Sequence, residues 1–136
     1  MFSYIIKKFK KEDGQAIVEF ALILPILIMI LCGIIDSGWL FTNQNIIDYA
    51  SREGARYAIV NPTEAAIITK TKSIAPINIQ GNLTVTVTFS NPSNHRQGDV
   101  AVTVNENVTP LTPIVGVFTQ GQTIPLSSSC IMKVEP

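Results

Sequence analysis

Glu19 is a carboxylate in an unusual position, because it is the only charged residue among the twenty from Ala16 to Ile35. A charge within an apolar helix is costly, and such groups are usually paired and functional. Gly14 lies five residues earlier, just ahead of the apolar segment. If a peptidase cut the chain after Gly14, Gln15 would carry a free α-amine, and an amine of ordinary pKa, about 7.7–8.0, is largely protonated. That amine could pair with the Glu19 carboxylate of a neighbouring copy.

Other residues that could carry chemistry are sparse. The only histidine, His95, lies in a segment dense in turn-forming residues and is predicted to be solvated. Ser127–Ser129 lacks the context of a nucleophile elbow. No cluster of histidine, cysteine and carboxylates has metal-ligand spacing, and no glycine-rich phosphate loop is present. We therefore expect no enzyme activity, no metal and no cofactor.

Composition narrows the class of partner. The 136 residues carry a formal net charge of zero, so no overall field favours nucleic acid, and we expect none to bind. The two cysteines are Cys32, inside the apolar segment, and Cys130, near the C-terminus. A bridge between these two environments is geometrically unfavourable, so both are predicted to be unpaired.

The apolar segment from Ala16 to Ile35 predicts a membrane-spanning helix about 30 Å long. A chain of this size cannot surround such a helix as a core, and no small-x-small cleavage site follows it, which argues against a cleavable secretory signal. Lysines crowd its N-terminal side, whereas Asp36 and Asp48 come first on the other side. This asymmetry predicts an N-terminus inside and a C-terminal part outside. The lysines are Lys7, Lys8, Lys10 and Lys11.

Helical spacing continues beyond the apolar segment. The motif REGARY, residues 52–57, is interpreted either as a solvated helical face with ordinary ion pairs or as a surface that contacts a partner subunit or lipid headgroups. The residues predicted to contact a partner are Arg52, Glu53, Gly54 and Arg56. Asn61, followed by Pro62, predicts the cap of a second helix that ends near Ser73.

Alternation of apolar and polar residues predicts three strands in the C-terminal half. The first covers residues 83–89, the second begins at Val100, and the third covers residues 124–134. Between the second and third strands, Pro110 and Pro113 predict a loop. A long helix followed by a small antiparallel sheet is an α+β fold.

The motifs resemble those of TadE-like minor pilins, or pseudopilins, of the type IV pilin-like tight-adherence pilus systems. The match is carried by GQAIVEFA at residues 14–21 with Leu24-Pro25, by GIIDSG at 33–38 and by ASREGARYA at 50–58. The resemblance is looser in the C-terminal half, over residues 98–113. It implies an α+β protein with a long pilin-like transmembrane helix and a small antiparallel sheet domain.

This resemblance implies a processing and assembly scheme. A prepilin peptidase would remove the basic leader, residues 1–14, by cutting between Gly14 and Gln15, with Glu19 and Phe20 serving assembly and processing. Many major pilins carry phenylalanine where this chain has Gln15, so N-methylation is left open. The remaining divisions are a transmembrane and assembly helix at 15–38, an extracytoplasmic helical region at 39–75 and a β domain at 76–136.

The resemblance also implies a place and partners. The protein would cross the bacterial cytoplasmic membrane once, contact its lipid, and assemble a thin adhesive pilus as a minor component. Implied partners are the prepilin peptidase, other TadE- or TadF-like minor pilins, the major pilin and the platform proteins of the same machine. Two alternatives stay open: a pseudopilin of a type II secretion or competence system, and an uncleaved signal-anchored surface protein that binds a partner through its sheet.

Overall fold

The computed structural model describes residues 13–134. Most of the leader predicted for residues 1–14, including its lysines, lies outside this range. The elements in chain order are α1 (Asp13–Val60), α2 (Glu64–Ile74), a 3-10 turn (Gln80–Asn82), β1 (Leu83–Phe89), β2 (Gly98–Val108), α3 (Pro113–Phe118) and β3 (Ile124–Val134). The predicted α+β fold, a long apolar helix followed by a small antiparallel sheet, is confirmed.

α1 is one uninterrupted helix of 48 residues, which corresponds to about 72 Å at 1.5 Å per residue. Pro25 lies inside it and removes one backbone N–H without ending the helix. Every residue from 14 to 31 is exposed, whereas buried positions recur every three or four residues from Asn43 to Ala58. The same helix therefore has an exposed first half and a second half that packs against the rest of the chain. The predicted division at residue 38 falls within it and coincides with no break in secondary structure.

The sheet is antiparallel, with β2 between β1 and β3. Val102 at its centre lies opposite Val87 on one side and Cys130 on the other. Val100, Val102 and Val104 are completely buried, and both β2 and β3 contact α1. The alternation seen in the sequence thus reflects a sheet with one face against a helix and the other face solvated.

Both cysteines are unpaired, as predicted, and each is half-buried. Cys32 lies on α1 near the end of its exposed half, and Cys130 lies on β3.

The start of α2 differs from the sequence prediction. Its N-cap is Thr63 rather than Asn61. The backbone N–H of Asn61 donates to the Tyr57 carbonyl at 2.9 Å, and its side-chain amide donates to the Tyr57 hydroxyl at 3.0 Å. Asn61 therefore closes α1, and the new helix begins only after Pro62.

Two features of the predicted loops also differ. The segment around Pro113 is a short helix, with Pro113 in its first turn, where a missing N–H costs nothing. His95, predicted to be solvated, is half-buried, and its ring stacks on Phe89 with 4.0 Å between the ring centroids. Its Nδ1 lies 3.3 Å from the Pro62 carbonyl oxygen. The turn between β1 and β2 is thereby fixed to the α1–α2 connection.

α1 packs closely against its neighbours at Gly54, which is buried. A Cβ at this position would lie 3.1 Å from Val102 Cγ1 and 3.3 Å from Thr71 Cβ, and nearer still to Thr71 Oγ1. That hydroxyl donates to the Ile67 carbonyl at 2.7 Å, so it is held in place. The small residue of the motif REGARY is therefore required by packing within this chain.

Gly54→Ala is expected to destabilise the fold by about 1–3 kcal/mol, because the added methyl overpacks the contact with α2. The matched control is Gly38→Ala on the same helix, where a Cβ would meet nothing within 4 Å. Alanine there should be neutral or slightly stabilising. Thermal unfolding of both variants in detergent, followed by circular dichroism, measures the difference. Equal midpoints for the two variants would contradict the close packing at Gly54.

Candidate functional site: the exposed half of the first helix and its junction with the sheet

The exposed half of α1 is a continuous apolar surface. Its large side chains are between 37% and 72% exposed from Ile17 to Leu31. Within the described part of the chain this is one helix that is long and apolar enough to cross a membrane. Soluble surfaces rarely expose apolar area on this scale, so the surface requires lipid or other helices around it.

The residues of the predicted cleavage and assembly motif lie together at the start of this surface. Gln15 and Glu19 are both exposed and one helical turn apart, and the Gln15 amide donates to Glu19 Oε1 at 3.0 Å. Phe20 is 59% exposed. A Cβ placed on Gly14 would meet no atom of residues 13–134 within 4 Å, so the described part of the chain leaves the backbone at the predicted cut open on this side. Cleavage between Gly14 and Gln15 stays a prediction.

Asp36 is a buried carboxylate at the end of the apolar segment, and it is only 3% exposed. Its Oδ1 accepts the backbone N–H groups of Leu111 at 2.8 Å and Thr112 at 3.0 Å, while its Oδ2 accepts the Thr112 hydroxyl. Hydrogen bonds to a charged acceptor are about twice as strong as neutral ones. Asp36 therefore ties the loop before α3 to α1 at the level where the apolar segment ends.

Glu106 is a second buried carboxylate, on β2, and it is 4% exposed. Its cross-strand partners are Leu83 and Leu126. Its Oε2 accepts no hydrogen bond from any residue between 13 and 134. Burial raises the pKa of its carboxyl above the ordinary value. In contrast to Asp36, Glu106 is a buried acid whose charge is not compensated within the described part of the chain.

The predicted partner-contact residues separate into two groups. Arg52 and Arg56 are exposed, and Arg56 Nη1 lies 3.2 Å from Glu53 Oε1, an exposed ion pair of the kind that contributes little to stability. Gly54 is buried against α2 and β2. Contact with a partner stays a prediction for the motif, and the two arginines are the members that present charge to the surface.

Asp36 and Glu106 were not identified as buried from the sequence. Asp36 entered only as the first acidic residue beyond the apolar segment, because its partners are 75 and 76 residues away. A signal for Glu106 does exist in the sequence. It occupies an inward position in the alternation that Val100, Val102 and Val104 begin, where an apolar residue is expected.

The fold and this site define a small α+β protein with an apolar N-terminal helix that can serve as a membrane anchor. The family model described as TadE-like protein matches residues 14–56, about a third of the chain. The resemblance of this segment to TadE-like proteins is thereby confirmed. Comparison with curated proteins found no match, and comparison with solved structures found none either.

Asp36→Ala is expected to release the loop before α3, because two backbone N–H groups and a hydroxyl lose a charged acceptor, at a cost of about 1–3 kcal/mol each. Asp36→Asn is the matched variant, since its amide oxygen can still accept the two N–H groups. Hydrogen exchange measured by mass spectrometry should show faster exchange at Leu111 and Thr112 in the alanine variant and a smaller change in the asparagine variant. Unchanged exchange in both would show that Asp36 does not hold this loop.

Glu106 should make stability fall as the pH rises. Its folded pKa lies above the ordinary value of 4.5. The free-energy cost of burying the ionised carboxylate is therefore absent below pH 4.5 and develops as the pH rises through the folded pKa. Glu106→Gln removes the charge and should exceed the wild type in stability near pH 7 by about 1–3 kcal/mol, with little difference at pH 4. Thermal unfolding across this range measures it.

The control for this pH dependence is Asp99→Asn, an exposed carboxylate on the same strand. Its unfolding curve should follow that of the wild type. Parallel wild-type and Glu106→Gln curves from pH 4 to pH 8 would contradict the raised pKa.

Proposed function

We propose that this protein is a minor pilin-like subunit of a tight-adherence pilus, made as a membrane-inserted precursor that a prepilin peptidase cuts after Gly14. Its role is structural rather than catalytic. The observation that carries the proposal is that a TadE-like segment coincides with a helix that is exposed and largely apolar over residues 14–31, while its second half packs against a small sheet. The leader would remain inside the cell and the sheet domain outside.

The geometry at Glu19 supports an assembly role for this carboxylate. The Gln15 amide occupies Oε1, whereas Oε2 accepts no hydrogen bond from a described residue. After the cut, the α-amine of Gln15 in a neighbouring copy or another pilin would supply a positive charge at the same depth. The two charges would then compensate each other in the low-dielectric environment that the packed helices create.

The exposed arginines favour a protein partner over lipid headgroups. Arg52 lies 17 positions beyond Ile35 on one continuous helix, which places it roughly 25 Å past the end of the apolar segment. The headgroup layer is only about 5–8 Å thick on each side of the hydrocarbon core. Arg52 and Arg56 therefore stand beyond the headgroups of the membrane that holds α1, at the level of the domains of neighbouring subunits.

N-terminal sequencing of the protein from cells with and without the prepilin peptidase tests the processing. We expect the mature chain to begin at Gln15 only when the peptidase is active. Gly14→Val should block the cut, because a branched side chain replaces the small residue at the cleavage site. The matched control Gly33→Val, in the same helix and equally open to a new Cβ, should be cut normally. A chain that keeps its leader beside an active peptidase would refute the proposal.

Glu19→Ala should leave cleavage intact and lower recovery of the protein in sheared pili by at least about tenfold, because breaking a buried charge pair costs several kcal/mol. Glu64→Ala, which removes an exposed carboxylate on α2, is the control. Quantitative immunoblotting of sheared and cell-bound fractions gives the ratio. Normal recovery of the Glu19→Ala protein would refute the pairing of Glu19 with an amine.

A further inference from the structure

Glu106 is one of the residues that line a small cavity of about 170 Å³ between α1, the 3-10 turn and the end of β2. Its Oε2 is buried and accepts no hydrogen bond from a described residue. A buried ionised carboxylate without a partner is expensive, and such a group normally has a counter-charge when it is retained. No other charged residue lines the cavity within residues 13–134. A ligand would therefore have to supply the positive charge. The remaining lining residues are Trp39, Asn78, Ile79, Asn82, Asn107, Val108 and Thr109.

The lining suits a singly charged ligand that donates hydrogen bonds. Asn78, Asn82 and Asn107 carry amide oxygens, and Thr109 carries a hydroxyl, so the lining combines several acceptors for N–H groups with a single carboxylate. A calcium ion usually takes six to eight oxygen ligands and more than one carboxylate. A primary ammonium needs three acceptors and one negative charge, and it is also attracted to an indole ring such as that of Trp39.

The position of the cavity points to the source of the ammonium. Trp39 lies four residues beyond Ile35 on α1, which is about 6 Å past the end of the apolar segment. Asp36 holds Leu111 and Thr112 at the same end of the domain, two and three residues beyond the cavity-lining Thr109. In a membrane-inserted protein this is the level of the lipid headgroups, where tryptophan side chains are enriched.

We infer that the Glu106 cavity binds the primary ammonium of an ethanolamine-type lipid headgroup. The ammonium would donate to the Glu106 carboxylate and to the surrounding amide and hydroxyl oxygens. The lipid part of this inference rests on the proposed membrane insertion of α1, whereas the ammonium site rests on the cavity alone. Binding would fix the height and tilt of the sheet domain above the membrane and compensate the charge that the fold leaves buried.

The chain contains a single tryptophan, Trp39, so its fluorescence reports directly on the cavity. The full-length protein in detergent is titrated at pH 7.5 and constant ionic strength with ethanolamine, with choline, which has no N–H donors, and with calcium chloride. We expect a saturable change in Trp39 emission with ethanolamine alone. Glu106→Gln should weaken this binding by at least about tenfold, because a charge-assisted hydrogen bond is lost. Asp99→Asn should bind like the wild type.

The second arm uses the protein in nanodiscs of phosphatidylethanolamine or of phosphatidylcholine. We expect ethanolamine to change Trp39 emission only in phosphatidylcholine discs, because the headgroup already fills the cavity in the others. A response in both disc types would overturn the lipid source and favour a lysine from a protein partner. Saturation by calcium with no ethanolamine response, or no response to either, would overturn the ammonium site. Neither outcome depends on cleavage after Gly14, so failure of this inference is distinguishable from failure of the proposed function.

Discussion

The two halves of one uninterrupted helix need different surroundings, an apolar environment for the first and the packed domain for the second. The rest of the structure follows from this constraint. The first half of α1 exposes large apolar side chains on all sides, which only lipid or other helices can cover. The second half buries a narrow stripe of small residues so that α2 and the sheet can approach it closely. Because no hinge separates the halves, forces on the sheet domain are transmitted rigidly to the membrane segment. Such a coupling would suit the role we propose, in which the subunit leaves the bilayer and enters an assembly as one body.

The two buried carboxylates mark the junction between these halves in opposite ways. Asp36 is satisfied within the chain by two N–H groups and a hydroxyl, and it fixes the base of the domain to the helix. Glu106 is left without a partner beside a small polar cavity. Asp36 thus has a structural role. Glu106 lines a site that acquires a function only if a ligand binds there. Both lie close to where the apolar segment ends.

Local patterns carried the sequence predictions that were confirmed. The strict alternation of residues 83–89 and 124–134 identified strands because one face of the sheet packs on a helix and the other is solvated. The apolar segment identified a helix that is long and apolar enough to cross a membrane, because its length matches the thickness of a bilayer. The division of the chain at residues 38 and 75 and the cleavage after Gly14 stay predictions.

Contacts between residues far apart in the chain were not predicted, since no local pattern reveals that Asp36 meets Thr112 or that Gly54 meets Thr71. The cap of α2 was predicted wrongly because Asn61 is already engaged by Tyr57.

The central claim is that the membrane surrounds the first half of α1 and leaves the second half outside. It is tested by labelling single cysteines with a membrane-impermeant maleimide, in cells whose outer barrier has been opened while the cytoplasmic membrane is kept intact. The background lacks Cys32 and Cys130. Ile26 and Tyr49 are equally exposed on α1, at 59% each, so the structure alone predicts equal reactivity. We predict that Ile26→Cys resists labelling until detergent is added, whereas Tyr49→Cys is labelled at once. Equal labelling of both before detergent would contradict the claim.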